Sequence, residues 1–176
     1  MTAALGRILL LLLAGAACIL IAAVPMRPGV PEWPVPDLLM LLCCYWVLRR
    51  PESTPLLAVF ALGLAADLVL LRPVGVGALT LVLATEVLRA QRQGLGDTSF
   101  LVEWLIVALT VLVMATLQIA LLWLGLGALP ALGEVAAHAG LTAAVYPLMA
   151  FVCATLLGLR HRRGGRLSYS SYLGEG

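Results

Sequence analysis

The 176-residue sequence contains no lysine, only two histidines, and only 11% charged residues. A soluble domain carries about 25%. Such a shortage excludes a hydrated globular surface. The four cysteines, Cys18, Cys43, Cys44 and Cys153, all lie in apolar stretches without framework spacing. Adjacent cysteines are poorly placed to chelate one ion, so they read as small apolar fillers, with neither disulfide nor metal expected. The chain also lacks a nucleophile–base pair, a phosphate loop and a metal-ligand cluster. An enzyme therefore has no candidate residues, and no cofactor is expected.

What is abundant is apolar residue. Hydrophobic types make up 62% of the chain, against about 45–50% in soluble domains, and the mean hydropathy is +1.07. The sequence describes an all-α polytopic membrane protein. A spanning helix takes about 20 mostly apolar residues, with about 17 as a lower end. Six segments reach or approach this: 8–24, 33–48, 55–71, 74–88, 104–124 and 135–159. Turn chemistry separates them, in "PMRPGVPEWPVP", "RRPESTP", "RPVG", "RQGLGDTS" and "GLGALPALGE". "RPVG" is short enough to force spans three and four into an antiparallel hairpin.

Residues 1–160 are thus expected to form one six-span domain, a compact bundle, and the basic segment 161–176 a flexible cytoplasmic tail. The first segment resembles a lipoprotein signal at "AGAAC", but Gly15 stands three residues before Cys18 and the apolar run continues to Val24. That run exceeds a signal-peptide core, so the first span is expected to be retained.

Arginine placement orients the spans. With both termini cytoplasmic, Arg7, Arg49, Arg50, Arg89, Arg92, Arg160, Arg162, Arg163 and Arg166 lie inside, and only Arg27 and Arg72 outside. This is a strong positive-inside bias. The second span is short: Leu38 to Leu48 covers only about 16 Å as a helix. Pro34 and Pro36 favour extended backbone before it, with Trp33 suited to the membrane interface. Irregular backbone survives in a membrane only when protein or water covers it, which suggests an outward-facing pocket or lid.

The embedded polar residues are candidates for structural or functional work. Asp67 lies about one turn from the outer end of span three. It has two readings: a polar contact that holds the three–four hairpin, with Arg72 as a possible partner if the helix unwinds near Leu71, or a pocket-lining or partner-contacting acid. Asp37 reads as an N-cap of span two, and Glu86 with Arg89 as a local surface pair. Glu134 and His138 share a helical face at the start of span six. Gln118 is placed to hydrogen-bond across the bundle, and Pro147 to kink span six. Small residues recur every fourth position at Ala14, Cys18 and Ala22, and again at Ala136, Gly140 and Ala144, where helix backbones can approach closely. Arginines of the C-terminal tail are suited to anionic lipid.

The stretch from Pro36 to Leu79 resembles the MreD family of bacterial rod shape-determining membrane proteins. The likeness rests on "PDLL", the "YW…RRP" exit from span two, "F…GL…D" in span three, and the Gly75–Gly77 entry to span four. It implies an inner-membrane, multi-pass scaffold of the cell-elongation (rod) complex that supports peptidoglycan synthesis without catalysing it. The implied partner is MreC, and through it MreB, RodA and a class B penicillin-binding protein, with no nucleic-acid partner. Members are also similar in fold to the substrate-binding subunits of energy-coupling-factor vitamin transporters, and a small-molecule transporter subunit is the alternative reading. On this view Asp67, Arg72, Gly63, Gly75, Gly77 and Asp37 shape a pocket or partner contact in the outer half. Tyr45, Trp46, Arg49 and Arg50 hold span two at the cytoplasmic interface.

Overall fold

The computed structural model describes residues 2–24, 35–95, 99–126 and 131–156. These residues form six α-helices and one short 3₁₀ turn, with no strand among them. The helices are α1 (Thr2–Ala23), α2 (Leu38–Arg49), α3 (Leu56–Val69), α4 (Val76–Leu95), α5 (Phe100–Leu126) and α6 (Leu132–Leu156), and the 3₁₀ turn is Pro51–Ser53. Stretches of α1, α5 and α6 are long and apolar enough to cross a membrane. The positions 25–34 and 157–176, which hold Arg27, Trp33, Pro34 and the basic tail, lie outside the described residues.

The bundle is arranged around α2. This helix packs against α1, α4 and α6, and every residue from Leu39 to Leu48 is buried. A helix buried all round needs no polar face, which explains why "LLMLLCCYWVL" shows none. At about 18 Å it is too short to cross a bilayer's hydrocarbon unaided, and neighbouring helices enclose it. Within the expected segment 33–48 the helix opens at Leu38, after Pro36 and the Asp37 cap, as the sequence suggested. Asp37 Oδ1 accepts from the Met40 N–H at 2.9 Å, and the Asp37 N–H donates to Thr142 Oγ1 at 3.1 Å, tying α2 to α6.

The most extensive helix pair is α3 with α4. Their backbones nearly touch: a Cβ on Gly63 would lie 2.5 Å from Ala78 Cα. The chain leaves α3 through a six-residue closure in which the Arg72 N–H donates to the Asp67 carbonyl at 2.9 Å. Leu71 takes φ +52° to make this turn, a left-handed position that glycine usually occupies. Beyond the turn, α4 runs on to Leu95, seven residues past the expected segment, and carries Arg89 and Arg92 on that extension. Pro147 lies within α6, which continues from Leu132 to Leu156.

The bundle's outside is apolar. Leu9, Leu13, Leu57, Leu105, Leu109, Leu148 and Phe151, among others, are exposed, as expected of helices whose solvent is hydrocarbon. The two small-residue stripes diverge. Ala14, Cys18 and Ala22 face inward enough to be half-buried, whereas Ala136, Gly140 and Ala144 are exposed on α6.

Candidate functional site

Two polar clusters lie at opposite ends of the bundle. The first is built on the α3–α4 turn. Asp67 is 1% exposed, and its Oδ2 accepts from the backbone N–H of Gly75 at 2.9 Å and of Ala78 at 3.2 Å. These are donors at the start of α4, the groups that an α-helix leaves unsatisfied. The carboxylate therefore caps the next helix from inside the previous one, where the positive end of the α4 dipole favours it.

Three glycines make room for this cap. Gly75 has φ +95°, which costs an L-residue strain but not glycine. A Cβ on Gly77 would collide with Asp67 Oδ1, and Gly63 permits the close approach of α3 to α4. The structure thus brings Asp67, Gly63, Gly75 and Gly77 together. Arg72 points elsewhere. Its guanidinium lies 4.0 Å from Asp37 Oδ2, with both side chains partly exposed, because the closure at Leu71 turns the chain away from the Asp67 carboxylate.

Around this ion pair lie two cavities. One, of about 210 Å³, has walls from Cys18 and Ala22 of α1, the cap residue Asp37, Leu39 of α2, and Gly63, Ala66 and Asp67 of α3. The other, of about 40 Å³, faces α5 and α6 and is lined by Thr80, Gln118, His138 and Thr142. Asp37, Arg72, Gly77 and Leu81 border both. His138 and Gln118, separate in sequence, thus converge with Asp37 and Arg72, while Glu134 is exposed.

The second cluster joins the far end of α2 to α5 and α6. Arg49 pairs in bidentate fashion with Glu103, at 2.9 and 3.0 Å. Both side chains are 9% exposed. Tyr146 Oη donates to Glu103 Oε1 at 2.6 Å. The Tyr45 ring lies 4.7 Å beneath the Arg49 guanidinium, a cation–π placement. Phe100 stacks on Tyr146, and Trp104 Nε1 donates to the Ala143 carbonyl at 2.8 Å. Close by in sequence, the Arg50 N–H closes α2 on the Trp46 carbonyl at 2.7 Å. Arg89 of α4 donates to the Thr54 carbonyl and pairs with Glu86 at 3.4 Å.

Glu103 and Tyr146 did not stand out in the sequence. They lie 54 and 97 positions from Arg49 in the chain, and only the packing of three helices makes them neighbours. The available signal was Glu103 itself, a carboxylate opening an apolar run with no local basic partner at helical spacing. Trp46 also differs from the expected interfacial anchor. It is fully buried with its Nε1 unpartnered among the described residues, because α2 is the central helix.

Chemically, both clusters spend their charges on other protein groups: Asp67 on helix N–H groups, Glu103 on Arg49 and Tyr146. No group of three or more His, Cys, Asp or Glu residues able to hold a metal occurs among the described residues. The arrangement can lock helices together and offer a partly polar cavity. Among curated proteins and solved structures, nothing matches the chain significantly. A family model described as rod shape-determining protein MreD matches residues 2–159, taking in all six helices, and the chain belongs to the MreD family.

Proposed function

We propose that this chain is a six-span, non-enzymatic scaffold of the bacterial cell-elongation complex that docks MreC in the inner membrane. The observation that carries the reading is the family match along 2–159, which places the chain in the rod-shape system. Through MreC it would act with MreB, RodA and a class B penicillin-binding protein to support peptidoglycan synthesis. The internal engagement of the buried carboxylates suits a rigid platform.

The topology belongs to the same reading. Arg49, Arg50, Arg89 and Arg92 gather at one end of the bundle, and Arg72 lies at the other. Alternating passes with both termini cytoplasmic put the arginine-rich end inside. In a cysteine-free background, an impermeant thiol reagent applied from outside should label a cysteine placed at Leu71 but not one placed at Arg50. The reverse pattern would overturn the orientation.

The docking test is purification of the tagged chain in nanodiscs followed by mass spectrometry of proteins and small molecules. Recovery of MreC with the elongation synthases is the expected result. A second reading, a small-molecule transporter subunit, is favoured by one feature, the cavity of about 210 Å³ beside Asp37 and Arg72. Recovery of one metabolite with an ATPase module, and without MreC, would establish that reading instead.

A further inference from the structure

The loosest charge pair in the described structure is also the one that borders both cavities. Arg49 and Glu103 meet at bidentate distance in a buried site, whereas Arg72 and Asp37 stand 4.0 Å apart with side chains 41% and 29% exposed. Arg72 brings five N–H donors, and among the described residues none of them makes a hydrogen bond. Asp37 uses Oδ1 for the Met40 N–H and, among the described residues, leaves Oδ2 with only the long contact to Arg72. One positive and one negative group, each with spare capacity and 4.0 Å apart, thus face a cavity whose other side chains, apart from Asp67, are apolar.

We propose that this cavity binds a zwitterionic membrane lipid, its phosphate against Arg72 and its ammonium group against Asp37. Charge complementarity selects the class. A net anionic head would satisfy Arg72 but crowd Asp37, and a cationic head would do the reverse. A primary ammonium supplies N–H donors for Oδ2, and a phosphate accepts the guanidinium in fork geometry. Asp67 also lines this cavity, but its Oδ2 is already taken by the Gly75 and Ala78 N–H groups and is less available to a head group than Asp37 Oδ2.

Size restricts the pose. A pocket that engulfs a drug-sized ligand measures about 300–1,000 Å³, and this one is about 210 Å³. It holds the head group and the beginning of the chains, against Ile19, Ala22 and Leu70. The remainder of each chain lies along the apolar exterior. Gln118 and His138, across the ion pair in the smaller cavity, add hydrogen-bonding capacity behind the head group.

The inference rests on the membrane reading but not on the assignment of MreC, so the two fail separately: lipid retention and MreC capture are independent readouts. The test is native mass spectrometry of the full chain from nanodiscs containing equal phosphatidylethanolamine and phosphatidylglycerol. Wild type should retain phosphatidylethanolamine in preference. Arg72→Gln should lower its retention about tenfold, the loss of one charge-assisted contact. This variant leaves the backbone N–H of the turn intact. Asp37→Asn preserves an N-cap, since Asn and Asp cap equally well, and should abolish the preference over phosphatidylglycerol. Ala22→Phe, which fills the cavity from α1, should lower retention of both lipids. Equal or greater retention of phosphatidylglycerol by wild type, unchanged retention in Arg72→Gln or Ala22→Phe, or a partner peptide held in place of lipid would each overturn the proposal.

Discussion

Gly77→Ala adds a single methyl group, yet the structure predicts that its cost depends almost wholly on a residue ten positions away. The new Cβ would collide with Asp67 Oδ1. The carboxylate must then leave the Gly75 and Ala78 N–H groups that it accepts from. Orphaning each of those donors in a buried site costs about 1–3 kcal/mol, and losing a cap costs about 0.5–2 kcal/mol. Releasing a buried carboxylate from its desolvated position offsets part of this. The net for Asp67→Ala is about 2–4 kcal/mol. Gly77→Ala should cost nearly as much, lessened by up to about 1 kcal/mol of helix propensity.

The two changes strike the same contact, so they should not add. In an Asp67→Ala background, the added methyl meets no carboxylate, and Gly77→Ala should be neutral or stabilising by up to about 1 kcal/mol. The resulting coupling is at least about 2 kcal/mol. It can be read from equilibrium unfolding of the four proteins by SDS titration in mixed micelles. If Gly77→Ala destabilises equally in both backgrounds, the cap assigned to Asp67 is wrong.

Other substitutions sort the remaining contacts by mechanism. Glu103→Ala should cost about 3–5 kcal/mol by stranding Arg49 in a buried site, and Tyr146→Phe, which removes one hydrogen bond to the carboxylate, about 1.5–3 kcal/mol; equal costs in the same unfolding assay would contradict this order. Arg49→Lys should recover only part of the wild-type stability, since a single ammonium lacks the fork that pairs with both Glu103 oxygens; full recovery would show that charge alone matters there. Gly63→Ala forces α3 away from the Ala78 backbone and should cost about 1–3 kcal/mol, visible as a lower midpoint of unfolding. Leu71→Gly should raise that midpoint, because it relieves about 1–2 kcal/mol of left-handed strain against a smaller loss from chain entropy.

What could be read from the sequence was what short spacing controls. Apolar runs mark the helices because hydrocarbon or a protein core must surround them. Asp37 as a cap and Glu86 with Arg89 are three-residue relationships that helical geometry enforces wherever the helix lies. "RPVG" dictates an antiparallel hairpin through its length alone. The Gly75–Gly77 pair marked the entry to α4, though not the carboxylate for which it makes room.

Tertiary structure decided which faces meet. Nearly uniform apolar helices carry no face that specifies their rotation, so the rotation is settled by side-chain packing around α2 and by a few polar groups that must find partners away from water. Those partners are far apart in the chain: Arg49 with Glu103, and Tyr146 with Glu103. Arg72 lies five residues from Asp67, yet its guanidinium reaches Asp37 because one left-handed residue, Leu71, redirects the chain. The sequence by itself determined that this protein is a bundle of apolar helices with charges at their ends; the packing of α2 among its neighbours decided which of those charges meet, because only burial makes an unpaired charge costly enough to dictate the arrangement.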